Sequence, residues 1–215
     1  MILVLLSFLI QGFFCFAGTY VGIQGGVNVS TPTYEPEIAT EALIKPTYGL
    51  GIDFDLSDVF SIGAELSYLE KGGTYFSLNT DFVDQYKMLE SSVILKIRPF
   101  SWFIRPLVEV GVSYAAVLDA QQKQFRYPSG SLIRETEIEN AAKTEYSAQV
   151  GAGIEWIVVK EKMRLALSGR YEKGLSRVLI EPHGGSIFGK TQFINYIFLL
   201  STRFNLSSGE QPARL

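Results

Sequence analysis

Cysteine and histidine are almost absent from this 215-residue chain, which contains one of each, Cys15 and His183. One cysteine cannot form an intramolecular disulfide, and these two residues cannot supply the ligand set of a structural zinc site. Charged residues make up only 19% of the chain, and the formal net charge is -3. Because there is no basic tract, we expect no nucleic-acid partner.

Long hydrophobic runs are missing after the first 17 residues. No later stretch reaches the roughly 18 consecutive apolar residues that a membrane-spanning helix needs, so any passage through a membrane would have to use strands. Residues 1–17 (MILVLLSFLIQGFFCFA) are almost wholly apolar and end in a small residue. This pattern predicts a signal peptide with its cleavage site after Ala17. A buried strand or helix is the alternative.

What the chain has instead is a two-residue alternation of apolar and polar side chains. From Phe60 to Tyr68, even positions carry Phe, Ile, Ala, Leu and Tyr, and odd positions carry Ser, Gly, Glu and Ser. Successive side chains of a strand point to opposite faces, so each such segment has one apolar and one polar face. The pattern predicts eight strands, over residues 19–30, 47–56, 60–71, 88–98, 104–118, 145–159, 163–173 and 192–204.

The connections between these strands alternate between long and short. The long ones cover residues 31–46, 72–87, 119–144 and 174–191, and the others contain only a few residues. Short turns at one end and long loops at the other are typical of outer-membrane barrels. We therefore predict an all-β protein, an eight-stranded antiparallel up-and-down transmembrane β-barrel over residues 18–204, followed by a C-terminal tail over 205–215.

Almost all charged residues within the predicted strands fall on the polar phase. In a membrane barrel this phase faces the lumen, where acids and bases must pair because a lone buried charge is costly. Asp55, Glu90 and Glu145 also lie on this phase, and inward glycines would make room for long arginine side chains. The predicted lumen charge network is Asp53, Glu65, Lys96, Arg98, Arg105, Glu109, Glu155, Arg164, Arg170 and Arg203.

Aromatic residues of the apolar phase are sorted to two levels. A soluble lipocalin-like barrel, the alternative, has no reason to sort them in this way, whereas membrane barrels place aromatic girdles at both lipid headgroup levels. The predicted girdles are Tyr48, Tyr68, Tyr114, Tyr146, Tyr171 and Tyr196 at the long-loop end, and Trp156 and Phe204 at the short-turn end.

Several short segments resemble the PorT-like outer-membrane β-barrel proteins of Bacteroidetes. They are 20–28 (YVGIQGGVN), 49–52 (GLGI), 60–73, 151–155 (GAGIE) and 170–175 (RYEKGL). The resemblance implies the outer membrane of a Gram-negative bacterium and a structural or interaction role through external loops, beside a secretion or gliding system. The implied partners are outer-membrane lipid, the barrel-insertion machinery and an envelope protein.

Candidates for chemistry are few. His183 lies near Glu181 and Ser186, but a catalytic triad needs rigid neighbours that hold three groups within hydrogen-bond reach, and a solvated loop is the preferred interpretation. Residues 134–145 (RETEIENAAKTE) are interpreted as a solvated loop or a short external helix. We predict a non-enzymatic protein with no catalytic residue, cofactor or metal. The alternatives are a narrow pore for small solutes, a soluble binder of apolar ligands and a lipid-modifying enzyme.

Overall fold

The structure, a computed structural model, describes residues 18–35, 39–77, 80–100, 102–126, 129–138, 143–159, 162–176 and 190–206. The predicted signal peptide, His183 with Glu181 and Ser186, and the predicted tail beyond Leu206 lie outside these residues. No helix in the described part is long and apolar enough to cross a membrane. Nine strands are present there: β1 Gly18–Glu35, β2 Thr40–Asp55, β3 Phe60–Ser77, β4 Thr80–Ile97, β5 Ile104–Arg126, β6 Ser131–Glu137, β7 Thr144–Val159, β8 Met163–Gly174 and β9 Lys190–Asn205.

Eight of these strands close into a ring in the order β1, β2, β3, β4, β5, β7, β8 and β9. All neighbours are antiparallel, and β9 returns to pair with β1 from Tyr20↔Asn205 to Glu35↔Lys190. Closure gives every strand of the ring a partner on both sides, which removes the exposed edges of an open sheet. The predicted eight-stranded up-and-down barrel is confirmed.

Short turns join the strands at one end of the barrel. Between β2 and β3, the hydroxyl of Ser57 accepts hydrogen bonds from the backbone N–H groups of Val59 (3.2 Å) and Phe60 (3.1 Å). Between β7 and β8, the N–H of Lys162 donates to the carbonyl of Val159 at 3.0 Å. These contacts reverse the chain within a few residues, as the short connections predicted.

The opposite end of the barrel differs from the prediction, because most of the long connections are themselves strand. β3 and β4 stay paired as far as Ser77↔Thr80, deep inside the predicted loop 72–87. β1 likewise continues to Glu35 and β5 to Arg126. The alternation of apolar and polar side chains ends before the strands do. Beyond the tyrosine girdle a strand needs no apolar face, but its backbone still pairs with its neighbours.

The ninth strand, β6, lies outside the ring. It pairs with β5 between Gln121↔Glu137 and Arg126↔Ser131, above the point where β5 stops pairing with β7. Gly130 permits the reversal, since its φ of 65° is costly for other residues, and its N–H donates to the carbonyl of Arg126 at 2.8 Å. The interpretation of 134–145 as loop or helix is therefore wrong for residues 134–137, which belong to β6, and for Thr144 and Glu145, which belong to β7.

Most large apolar side chains of the ring point outward. Ile23 is 62% exposed and Val112 60%, while inward Glu65 is 5% exposed and Arg98 only 1%. This distribution is the reverse of that in a water-soluble domain, where large apolar side chains are buried and charges lie at the surface. The interior of the barrel is thus the polar side of the sheet.

Candidate functional site

A balanced set of charges fills the barrel nearest the short turns, and we call it the turn-side cluster. Five carboxylates and five cations form it, and all ten residues are buried. Each belongs to at least one ion pair, so none is left as an isolated charge. Its members are Asp53, Asp55, Glu65, Glu109, Glu155, Lys96, Arg98, Arg164, Arg170 and Arg203.

Glu65 is the hub of this cluster. Its carboxylate lies 2.6 Å from Arg170, 3.1 Å from Lys96 and 3.3 Å from Arg203. The guanidinium of Arg170 also binds Glu109 through two nitrogens, at 2.8 and 3.0 Å. Such fork-to-carboxylate contacts are among the stronger hydrogen bonds in proteins.

Glycines provide the space that these long side chains occupy. A Cβ atom on Gly51 would lie 2.5 Å from the guanidinium of Arg203, and one on Gly151 would lie 2.8 Å from the side chain of Arg170. Both distances are too short for real Cβ contacts. The inward glycines therefore shape the lumen around its arginines.

The end of the cluster nearest the turns is built around Asp55. This carboxylate lies 2.6 Å from Arg164 and 3.5 Å from Arg98, and Arg98 also reaches Glu155 at 2.9 Å. Arg164 additionally stacks over the ring of Tyr20, 3.6 Å from its centroid. Asp55 was absent from the predicted network, although its phase in β2 is inward.

Arg105 is the one predicted network residue that the structure does not bring into the cluster. It is half-buried at the rim and donates a hydrogen bond to the carbonyl of Trp102 at 3.2 Å. It lies one residue after the start of β5, so its side chain reaches the turn region instead of the lumen. The other nine predicted residues all lie in the cluster.

A second group of charges lies farther from the turns, and we call it the Lys71 cluster. The ammonium of Lys71 lies 2.6 Å from Glu172, 2.9 Å from Glu145 and 3.5 Å from Glu90. The four residues come from four strands and are 0–3% exposed. Lys71 and Glu172 are absent from the predicted network, although the two-residue alternation of β3 and β8 places both side chains on the inward face.

A buried apolar group lies beside the Lys71 cluster and continues toward the outer end of the lumen, and we call it the apolar cap. Tyr75, Tyr86 and Phe193 extend it beyond the Lys71 cluster along β3, β4 and β9, and the rings of Tyr86 and Phe193 meet edge-on at 5.3 Å. Burial, together with the Asp84 carboxylate, raises the pKa of the Tyr75 phenol, which lies beyond the tyrosine girdle. The cap consists of Leu69, Tyr75, Tyr86, Met88, Ala115, Ala120 and Phe193.

On the outside of the barrel, the six predicted tyrosines form three cross-strand pairs. Tyr48 and Tyr68 lie 5.1 Å apart between ring centroids, Tyr114 and Tyr146 5.2 Å, and Tyr171 and Tyr196 5.5 Å. Trp156 and Phe204 lie at the opposite end, together with Trp102, which is 71% exposed. The spans from Tyr146 to Trp156 on β7 and from Tyr196 to Phe204 on β9 match the roughly 9 to 11 residues of a tilted membrane-spanning strand.

Comparison with known proteins identifies the fold. No family model matches the chain, and no curated protein matches its sequence. Its structure is similar to the outer membrane protein OprG from Pseudomonas aeruginosa, with a TM-score of 0.59 and 12% identity over 89% of this chain and 97% of that one. It is also similar to Escherichia coli outer membrane protein W, with a TM-score of 0.52 and 14% identity over 89% and 99% of the two chains. The chain therefore has the fold of the eight-stranded outer-membrane β-barrels.

Proposed function

We propose that this chain is an outer-membrane barrel of a Gram-negative bacterium with a closed lumen, and that it works as a non-catalytic structural or interaction protein. Its contact surface would be the part of the barrel beyond the tyrosine girdle. The segments that resemble PorT-like proteins favour a place beside a secretion or gliding system. Export by the predicted signal peptide over residues 1–17 is part of the proposal.

The membrane location is supported by the sheet's two faces. Outward residues between the girdles are mostly apolar, whereas the ten charges of the turn-side cluster all face inward. In water this arrangement would expose a continuous apolar band far larger than monomeric soluble proteins tolerate. In lipid the same band is solvated by acyl chains, and the tyrosine pairs meet the headgroups.

The packing of side chains inside the barrel is the observation that supports a closed lumen and carries the proposed function. The turn-side cluster, the Lys71 cluster and the apolar cap beside it are all buried inside the barrel. An eight-stranded barrel is only just wide enough for its side chains to fill it. Ion-paired arginines held at 2.6–2.8 Å are fixed in place and leave little room for hydrated solutes. A filled lumen favours a scaffold or adhesion surface over a channel.

Conductance across a planar lipid bilayer tests the closed lumen. The purified barrel, checked for folding by its heat-dependent gel migration, should produce no sustained ion current. An open porin inserted under the same conditions is the positive control. A steady current from the folded protein would overturn the proposal.

That result would favour the second candidate, a narrow pore for small solutes. The observation that supports a pore is the stretch of lumen between the two charge clusters, where several inward side chains are small serines. Ser92, Ser113 and Ser147 are buried there and contribute small inward side chains. A pore would need the turn-side cluster and the apolar cap to separate as well.

The interaction role is supported by the strands beyond the girdle. The β5–β6 hairpin carries exposed Leu118, Leu132 and Ile133 outside the apolar band. A photo-crosslinking residue placed at Leu132 should give an adduct with an envelope protein in intact cells. The same probe at lipid-facing Val110 is the matched control and should give no protein adduct. Equal results at both positions would argue against a specific contact surface on this hairpin.

A further inference from the structure

The charges of the Lys71 cluster do not balance. The turn-side cluster has five carboxylates and five cations, whereas three carboxylates surround one ammonium here. If all three glutamates were ionised, two negative charges would remain without a partner. Lys71, Glu145 and Glu172 are fully buried, and such an environment strongly disfavours uncompensated charge.

Within the described part of the chain, neighbouring elements do not supply the missing positive charge. Arg170 follows the cluster on the turn side, but its guanidinium is held by Glu65 and Glu109. On the outer side, the inward titratable groups of β3 and β4 are Tyr75, Tyr86 and Asp84, none of which is cationic. At the rim, Lys87 pairs with Asp119 at 2.8 Å and Lys45 faces Glu70 at 3.7 Å. β1, β5 and β9 contribute the uncharged inward side chains Asn28, Ser113 and Asn195.

Hydrogen-bond donors are in short supply at the same place. Four fully buried oxygens have no donor within reach among the described residues: Glu145 Oε1, Glu172 Oε2, Asn28 Oδ1 and Asn195 Oδ1. The amide nitrogen of Asn195 donates to Glu172 Oε1 at 2.9 Å, so this amide belongs to the cluster. An ionised carboxylate can only accept, whereas a protonated one also donates. One added proton reduces the charge excess and the donor shortage together.

We propose that the Lys71 cluster is a proton-binding site, in which the three glutamates hold at least one shared proton when the surrounding medium is neutral. Glu90 is the principal carrier, because its carboxylate is the farthest from the ammonium, at 3.5 Å, and its other oxygen accepts only from Ser92 at 3.3 Å. A proton fits better than a metal ion. Lys71 already occupies the centre, and no set of acidic side chains in the described residues is arranged to hold a metal.

The proton makes barrel stability depend on pH in a defined direction. Glutamates of the unfolded chain lose their protons near their ordinary pKa of about 4.3, so at neutral pH the folded protein binds more protons than the unfolded one. The extra stability is complete below the pKa of the unfolded chain, decreases as the pH rises above that value, and is gone once the folded protein has released the bound proton. For one proton, the unfolding equilibrium constant should rise about tenfold per pH unit in the range between these two points.

Infrared spectroscopy of the full-length barrel in detergent or lipid tests the proposal directly. A protonated carboxylic acid has a C=O stretch that a carboxylate lacks. This band should be present in the wild-type protein at neutral pH, should disappear as the pH is raised, and should be weakened in Glu90→Gln. Glu109→Gln, in the balanced turn-side cluster, is the matched control and should leave the band unchanged.

Urea unfolding as a function of pH gives a second readout. The unfolding constant of the wild-type protein should follow the tenfold dependence, and that of Glu90→Gln should be flat in the same range. Absence of the acid band from the wild-type spectrum at neutral pH would overturn the proposal, and so would an unchanged pH dependence in Glu90→Gln. If Glu90→Gln does not fold, the wild-type pH titration decides alone. Neither readout depends on whether the lumen conducts.

Discussion

Arg170 is the residue whose loss should damage the turn-side cluster most. Its guanidinium binds Glu65 through contacts of 2.6 and 3.1 Å and Glu109 through contacts of 2.8 and 3.0 Å. In Arg170→Met, an apolar chain of similar length replaces it and both carboxylates lose this partner. Glu65 keeps Lys96 and Arg203, whereas the ion pair of Glu109 in the described structure is with Arg170.

The expected cost follows from this asymmetry. Removing one partner of a buried ion pair typically costs about 3–5 kcal/mol, because the remaining charge is left without compensation. We expect Arg170→Met to lower the free energy of unfolding by this amount. Adding Glu109→Gln removes the orphaned charge and should restore about 1–3 kcal/mol, the cost of an unsatisfied buried group. Arg170→Lys should be intermediate, because it keeps the charge and loses the fork.

Urea unfolding in detergent micelles, followed by tryptophan fluorescence and by the folded band on unheated gels, measures these differences. The double variant is the internal control, since it removes more polar contacts than Arg170→Met and should nevertheless be more stable. The reasoning would be refuted if Arg170→Met cost less than about 1 kcal/mol, the value typical of exposed pairs. It would also be refuted if Glu109→Gln made the variant still less stable.

Two further substitution pairs test the lipid-facing wall and the close contact between β1 and β9. Val110→Arg, between the girdles, should cost about 2–4 kcal/mol of folding free energy in lipid vesicles, and Leu118→Arg, beyond the tyrosines, only about 0–1 kcal/mol. Similar costs at both positions would contradict the assigned membrane level. Gly22→Ala should destabilise the barrel by about 1–3 kcal/mol or more, because its Cβ would overlap the backbone carbonyl of Thr202. Gly169→Ala should be tolerated, since its nearest neighbours are ring carbons of Phe198 at 3.5 Å; equal thermal stability of the two variants would argue against the close approach of β1 and β9.

Much of the wall could be predicted from the sequence. The two-residue period places Glu65 and Arg170 on one face and Ile62 and Val112 on the other, because a strand has only two faces. Strand ends were harder to predict. β3 and β4 run on through the predicted loop 72–87, where both faces lie outside the apolar band and the alternation that marks a strand disappears.

The sequence by itself thus determined the ring of eight strands, the face on which most strand side chains lie and the two levels of aromatic residues. Tertiary structure alone decided which inward residues meet. Lys71, Glu90, Glu145 and Glu172 lie on β3, β4, β7 and β8, and only the stagger between these strands brings them to one height. Whether a residue holds an odd or an even position in its strand fixes the face of the sheet on which its side chain lies. Its height along the barrel depends on the register of every strand pairing around the ring. For that reason the expected balance of lumen charges holds within the turn-side cluster and fails at Lys71.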